Sequence, residues 1–423
     1  MKTISFWKQW TVGALFEFLQ SFVYYVVIIS CISLFWFILS VDFSPYQTNG
    51  LDADVFCAAG RAIRNHKNPY LVSELGSVLS WNYPPVYAYG FRIVCSRFSF
   101  QETYLYFYVA FFLLALDKWM GHKSWLYGLV LCLTGLYSFG WNLTTGNIGT
   151  AEFLIFSISF FLMWKNRATA AFFLLGILAS IKMMAFLYFV PFLYFTEQKA
   201  QRGRSLLFGL LGFSIPFLLS AVVSFELMPW YVRQLFGMIP GQHSPIVERM
   251  DFTSPSMINL LVDPLSVTVP PTFRFILGVM LFVFAFTVVW RYFGNNAPDD
   301  DSRLILLSMY ILVTVLFLPR MKPYGFLPAL LAVYLLTRDM AKWIWAVVLS
   351  LVSLLPMSFY YVYKYDAMNF IPFWANSALL NFISIYHQPI FMAFSFLFIV
   401  FMLKRQSHPF GSVADKNART KTI

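Results

Sequence analysis

Residues 22–40 read FVYYVVIISCISLFWFILS, an uncharged apolar stretch that determines the class of fold. An α-helix rises about 1.5 Å per residue, so a helix of this length crosses the roughly 30 Å of hydrocarbon in a bilayer. Lys2 and Lys8 precede the stretch, and no small-residue cleavage site follows it. We therefore interpret it as a signal-anchor that stays in the membrane, and the sequence predicts an integral membrane protein.

The composition of the whole chain supports this interpretation. Of 423 residues, 59% are apolar and 12% are charged, whereas a soluble domain carries about 25% charged residues. The chain has too few charged side chains to cover a soluble surface, which excludes a soluble protein, a disordered chain and a disulfide scaffold. The net charge of +11 is typical of a membrane protein with basic cytoplasmic loops, and no basic block interleaved with aromatic residues indicates nucleic-acid binding.

Apolar segments recur along the chain and predict an all-α protein with about twelve transmembrane helices. The predicted spans are residues 22–40, 84–118, 124–139, 147–164, 169–181, 184–196, 205–225, 271–292, 304–318, 324–337, 343–363 and 378–403. Two long polar loops, 41–83 and 226–270, separate them. We divide the chain into an N-terminal membrane module (1–204), a C-terminal membrane module (205–403) and a cytoplasmic tail (404–423).

The distribution of charge predicts the orientation. With the N-terminus in the cytoplasm, more than half of the 30 Lys and Arg residues fall on cytoplasmic loops and tails, as the positive-inside rule requires. Both termini are then cytoplasmic and both long loops are extracytoplasmic. Many of the remaining charged residues lie on this outer face, whereas a transporter places its charges near mid-membrane. We therefore expect chemistry at the outer surface of the cytoplasmic (inner) membrane.

The first outer loop offers two candidate catalytic carboxylates, Asp52 and Asp54. A carboxylate at the boundary of water and membrane can act as a general base that accepts the proton of a sugar hydroxyl. Two alternatives stay open: Asp52 caps a helix N-terminus, or the two residues together hold a divalent cation such as Mg²⁺ or Mn²⁺. We predict no metal or other cofactor for the reaction, because a pair of carboxylates is a weak metal signal.

Cations on the outer face predict a site for a phosphate. Lys182 interrupts an apolar stretch, and Arg320 and Lys322 lie in the tight turn before Tyr324. Arg offers a bidentate fork and Lys a point charge to a phosphate. Snorkelling of Lys182 to the interface and contact of the turn with lipid headgroups are the structural alternatives.

Polar and aromatic residues on the same face are candidates for binding the sugar or the acceptor. They are Asn68, Tyr70, Tyr83, Asn147, His243 and Ser256. Helix termination, a helix start, turn chemistry and a solvated loop explain them equally well without a substrate.

In order along the chain, several of these residues resemble glycosyltransferase family 87, the polyprenol-phosphate-dependent mannosyltransferase-like group of the GT-C superfamily. The matching residues are Asp52, Phe56, Ala59-Gly60, Asn68-Pro69-Tyr70, Tyr83-Pro84-Pro85, Gly146-Asn147, Lys182, and Pro319-Arg320 with Tyr324. Phe56 stands where the family commonly has tyrosine, and Lys322-Pro323 stands where many members have histidine or aspartate.

The resemblance implies a GT-C membrane fold and a mannosyltransferase-like reaction. The expected donor is a polyprenyl-phosphate sugar with mannose or a related hexose, the expected acceptor is a lipid or a glycan, and the expected base is Asp52. Membrane lipids are further expected partners. Two competing hypotheses are a transporter or flippase of a lipid-linked saccharide and a metal-dependent GT-C transferase that uses both Asp52 and Asp54.

The four cysteines form no CxxC pair and no Cys/His cluster, so the sequence predicts no structural zinc site. A disulfide between Cys57 and Cys95 is possible but is not expected. The chain contains no Walker A, GxGxxG, GxSxG or HExxH motif, which removes support for nucleotide hydrolysis, flavin chemistry and zinc proteolysis.

Overall fold

The computed structural model of the protein describes residues 51–77, 79–97, 147–196, 199–242, 256–265, 269–291, 300–317, 327–337, 348, 351 and 378–407. These parts of the chain are helical and contain no β-strand. The α-helices are α1 (Leu51–Arg64), α2 (Val72–Leu75), α3 (Pro85–Arg97), α4 (Gly149–Trp164), α5 (Ala168–Ile181), α6 (Phe189–Phe195), α7 (Lys199–Val223), α8 (Met228–Leu235), α9 (Met257–Val262), α10 (Pro271–Val289), α11 (Asp300–Leu316), α12 (Leu327–Thr337) and α13 (Ala378–Ser407).

Three of these helices are long and apolar enough to cross a membrane, namely Ala200–Val223, Thr272–Val289 and Ile385–Leu403. Large apolar side chains of α7 and α10 face outward: Val222 is 84% exposed and Phe284 is 67% exposed. Such surfaces are typical of helices that contact lipid. The all-α prediction is therefore confirmed for the described residues. Segments 22–40 and 124–139 and most of 343–363 lie outside them, so the number of crossings stays a prediction.

The chain divides into two compact units. The first contains residues 1–163, 167–185 and 203–246, and the second contains 164–166, 186–202 and 247–423. In the second unit, α11 packs against α6, α10, α12 and α13. Its residues Leu306 to Leu316 are almost completely buried, because α11 is apolar on every side and its neighbours surround it.

Helices α1 and α3 form the core of the first unit because small residues let their backbones approach closely. Ala58, Ala59 and Ala62 of α1 are almost fully buried. A Cβ atom at Gly60 would lie only 2.7 Å from the backbone nitrogen of Arg92, so glycine is required at this contact. The Ala-Gly pair of the sequence motif is thus a helix-packing element.

An aromatic cluster fills the rest of this core. Phe56 stacks on Phe91 with ring centroids 4.9 Å apart, and it meets Trp81 and Tyr83 edge-on at 6.1 and 5.7 Å. Phe56 is 3% exposed. A tyrosine at this position would have to find a partner for its hydroxyl group, so phenylalanine suits the apolar surroundings.

A disulfide joins Cys57 of α1 to Cys95 of α3, with the two Cα atoms 5.6 Å apart. The sequence expectation against this bridge was wrong. The two cysteines are 38 residues apart, and only the packing of α1 on α3 brings them together. Such a covalent link reduces the conformational freedom of the unfolded chain and ties α1 to α3.

Candidate functional site

Asp52 lies in the first turn of α1, where its side chain is half-buried. Its Oδ2 atom accepts a hydrogen bond from Nδ2 of Asn147 at 2.8 Å. The other end of the same amide, Oδ1, accepts from the backbone N–H of Gly149 at 2.8 Å, at the start of α4. Because both ends of the Asn147 amide are held, the amide determines the orientation of the carboxylate. Asn147 of the Gly146-Asn147 sequence pair therefore does more than precede α4.

Asp54 is separated from Asp52 by the geometry of the helix. Residues two positions apart project about 200° from each other around a helix, so they do not share a face. Asp54 is exposed, whereas Asp52 is turned towards Asn147. Among the described residues, no group of three or more His, Cys, Asp or Glu side chains is arranged to hold a metal ion.

Lys182 lies at the point where the chain leaves α5. Its backbone is extended, with φ −139° and ψ 100°, and its N–H donates to the carbonyl oxygen of Leu178. The Nζ atom donates to Oε2 of Glu152 at 2.7 Å. The side chains of Lys182 and Glu152 are only 21% and 10% exposed, so this ion pair is largely withdrawn from water.

Glu152 is the functional candidate that the sequence analysis missed. It lies in the first turn of α4, inside the apolar segment 147–164, and it is buried. An acidic residue within an apolar span requires a partner, and that rule would have identified it. The beginning of α4 therefore serves two groups: Asn147 contacts Asp52, and Glu152 contacts Lys182.

Tyr70 and Asn68 organise the segment between α1 and α3. The Asn68 side chain accepts from the backbone N–H of Tyr70 at 3.0 Å, and the Asn68 N–H donates to Glu74 at 2.7 Å. The fully buried Tyr70 hydroxyl donates to the carbonyl oxygen of Tyr83 at 2.7 Å. Burial raises the pKa of Tyr70 well above its usual value, with a further contribution from Tyr231, so Tyr70 remains a neutral donor.

Two more hydrogen bonds connect the start of α3 to neighbouring helices of the same unit. The Tyr87 hydroxyl and the Ser180 Oγ lie 2.7 Å apart, and the N–H of Val86 donates to Ser220 of α7 at 3.0 Å. Ser180 is two residues before Lys182. The Tyr87 contact joins the start of α3, where Tyr83-Pro84-Pro85 ends, to the end of α5 near Lys182, and the Val86 bond joins it to α7.

Ser256 belongs to the second unit and acts there as a helix cap. Its Oγ accepts from the backbone N–H of Asn259 at 3.2 Å, and the residue is fully buried. Arg274 donates to Asn259 and Asp263 at 2.8 and 2.9 Å, and Tyr386 donates to the same aspartate. In this arrangement Ser256 begins α9. His243, Arg320, Lys322 and Tyr324 lie outside the described residues, so their predicted roles stay predictions.

The chain matches one family of known enzymes. The sequence model of glycosyltransferase family 87 matches residues 81–319, more than half of the chain. The matched range contains Tyr83-Pro84-Pro85, Gly146-Asn147, Glu152 and Lys182, whereas Asp52 precedes it. Searches among curated proteins and among solved structures found no match. The chain belongs to glycosyltransferase family 87 and is a glycosyltransferase.

Proposed function

We propose that the protein transfers a hexose from a polyprenyl-phosphate donor to a hydroxyl group of a lipid or glycan acceptor. Mannose is the hexose that the resemblance to the family favours. The observation that carries the proposal is the double contact made by the beginning of α4. Asn147 orients the carboxylate of Asp52, and Glu152 holds the ammonium group of Lys182. A base and a cation held by one helix end are the two groups that such a transfer requires.

The reaction follows from these two groups. The carboxylate of Asp52 accepts the proton of the acceptor hydroxyl while the oxygen of that hydroxyl forms a bond to the anomeric carbon. The bond between that carbon and the phosphate oxygen breaks, and its electron pair leaves with polyprenyl phosphate. Attack from the face opposite the leaving group inverts the anomeric carbon. Lys182 stabilises the charge that develops on the phosphate, because electrostatic interactions are strong in a partly dehydrated site.

The disulfide between Cys57 and Cys95 supports a location on the extracytoplasmic face. Disulfides persist in oxidising compartments and are rare in the cytosol. Helices α1 and α3 carry this bridge, and α1 also carries Asp52. We therefore place the reaction on the outer side of the cytoplasmic membrane, with both termini on the inner side.

A single phosphate on the donor and a lysine beside it make a divalent metal ion unnecessary in this proposal. The same assay tests both the base and the metal. Detergent-solubilised protein is supplied with radiolabelled polyprenyl-phosphate mannose and a crude lipid extract of the host. Asp52→Asn is compared with wild type, with and without EDTA, and Glu226→Gln serves as a control because Glu226 is an exposed acid of the same unit.

We expect EDTA to leave transfer unchanged. In Asp52→Asn we expect the rate of transfer to fall at least about 100-fold, because the variant lacks the general base. If EDTA abolishes transfer, and Asp54→Asn loses transfer as well, the metal-free mechanism is wrong. A metal ion held between Asp52 and Asp54 would then take its place. If no polyprenyl-phosphate sugar supports transfer, while reconstituted protein moves a lipid-linked saccharide between leaflets, the transporter hypothesis replaces the proposal.

A further inference from the structure

Glu152 takes no part in the bond changes of the proposed reaction, although its carboxylate contacts the ammonium group of Lys182. The two side chains are joined at 2.7 Å in surroundings that leave the glutamate 10% exposed and the lysine 21% exposed. Charges are screened less in such a place than on an open surface. The pair therefore presents almost no net charge to an arriving anion, although its lysine alone would attract one.

The carboxylate of Glu152 and a bound phosphate would lie beside the same ammonium group and repel each other. The donor is a phosphodiester with one negative charge. The product, polyprenyl phosphate, is a monoester that carries between about one and a half and two negative charges at neutral pH. Repulsion by the carboxylate is therefore stronger for the product than for the donor.

We propose that Glu152 is a positioning residue that holds Lys182 between turnovers and weakens the binding of the phosphate product, which favours product release. This inference rests on the proposed function, because it assigns the phosphate to Lys182. Glu152 acts through the lysine and does not contact the reacting atoms. It is held in place by the first turn of α4, the helix that begins directly after Asn147.

The binding of farnesyl monophosphate, a short prenyl phosphate, tests the inference without any turnover. Its dissociation constant is measured by calorimetry in detergent for wild type, Glu152→Gln, Lys182→Met and the double variant. We expect Glu152→Gln to bind about tenfold more tightly and Lys182→Met about tenfold more weakly. In the Lys182→Met background the second substitution should change little, because the effect of Glu152 passes through the lysine.

A kinetic measurement separates positioning from a merely structural role. With Glu152→Gln we expect the donor KM to fall, kcat to fall with it, and inhibition by added prenyl phosphate to become about tenfold stronger. If the ion pair were only structural, Glu152→Gln would lower the melting temperature and leave the binding of the phosphate unchanged or weaker. Glu226→Gln removes an exposed acid and should match wild type in all three measurements.

Equal or weaker binding of farnesyl monophosphate by folded Glu152→Gln would overturn the inference. If that variant does not fold, Glu152→Met carries the test, since methionine has a similar length and also removes the negative charge, and tighter binding is again expected. The proposed function is tested separately. Full transfer by Asp52→Asn would reject Asp52 as the base. Loss of transfer in Asp52→Asn, together with unchanged binding of farnesyl monophosphate by Glu152→Gln, would reject this inference alone.

Discussion

At the scale of single residues, the hydrogen bond from Asn147 to Asp52 is the contact that the sequence does not indicate. As part of a Gly-Asn turn it has an ordinary explanation, because asparagine is common where a helix begins. In the structure its amide has one end on Asp52 and the other on the N–H of Gly149, both at 2.8 Å. These two bonds orient the Asp52 side chain, and the contact of Asn147 with the sugar that the sequence suggested stays a prediction.

The corresponding prediction concerns the Asn147→Ala variant. Without the amide, the Asp52 carboxylate loses its donor and is free to rotate, so we expect kcat to fall by about 10- to 100-fold with a much smaller change in the donor KM. Sugar-transfer kinetics in detergent give both values. Asn65→Ala, at the exposed end of α1, is the matched control. A kcat equal to that of wild type would mean that Asn147 serves only the turn.

Two other predicted binding residues also have structural roles at this scale. Tyr70 is fully buried and donates to the carbonyl of Tyr83, and Ser256 caps α9. Burial also raises the pKa of Tyr231, whose ring lies 6.0 Å from that of Tyr70, so both phenols stay neutral at ordinary pH. A sequence does not distinguish a polar group that meets a substrate from one that satisfies a buried carbonyl, since both are polar residues near an outer loop.

At the scale of helices, glycines determine how α5 and α7 cross. A Cβ atom at Gly176 would collide with the backbone carbonyl of Gly209, and one at Gly212 would collide with the carbonyl of Phe173. The obstacles are backbone atoms, which cannot move aside as a flexible side chain can. The crossing matters for the site because α5 ends at Lys182, and a displaced α5 would displace the lysine.

Comparison of Gly212→Ala with Gly203→Ala tests this contact within one helix. The first variant forces the two backbones apart, and we expect a loss of at least about 1–3 kcal/mol in stability, typical of overpacking. At Gly203 nothing lies within 4 Å of the added methyl group, so the greater helix propensity of alanine should leave stability unchanged or slightly improved. Thermal unfolding in detergent, followed by tryptophan fluorescence, measures both. Equal melting temperatures would show that the helices separate without cost.

At the scale of the whole molecule, charge distribution and disulfide chemistry independently support the proposed orientation in the membrane. Basic residues concentrate on the loops that the positive-inside rule places in the cytoplasm. The bridge between Cys57 and Cys95 supports the proposed oxidising compartment for α1 and α3, because disulfides are rare in the cytosol. The proposed base, Asp52, belongs to the same helix as one of these cysteines.

Labelling with a membrane-impermeant maleimide tests this orientation. Cys31 and Cys132 are first replaced by serine, and single cysteines are introduced at Ser73 or at Ala200, both exposed in the structure. We expect Ser73→Cys to react in intact cells and Ala200→Cys to react only after permeabilisation, because the reagent does not cross the membrane. Cys57 and Cys95 should react only after reduction. The opposite pattern would invert the topology and move the proposed chemistry to the cytoplasmic face.

The sequence by itself determined the α-helical, membrane-associated character of the protein and its family. Hydropathy is a property of short segments. Residues 205–225 and 271–292 therefore predict spans where the structure has the helices Ala200–Val223 and Thr272–Val289, which are long and apolar enough to cross a membrane. The family motifs likewise are short and ordered along the chain. The residues Asp52 and Lys182 were selected in this way, from their chemical type and their predicted position on the outer face.

Only the tertiary structure decided which residues meet. Asn147 and Asp52 are 95 positions apart, Lys182 and Glu152 are 30 apart, and the two bridged cysteines are 38 apart. No periodicity or local motif specifies such contacts, because they depend on how α1, α3, α4 and α5 pack. Packing also decided that a buried glutamate neutralises the lysine, since a polar group that is withdrawn from water must find its partner within the fold.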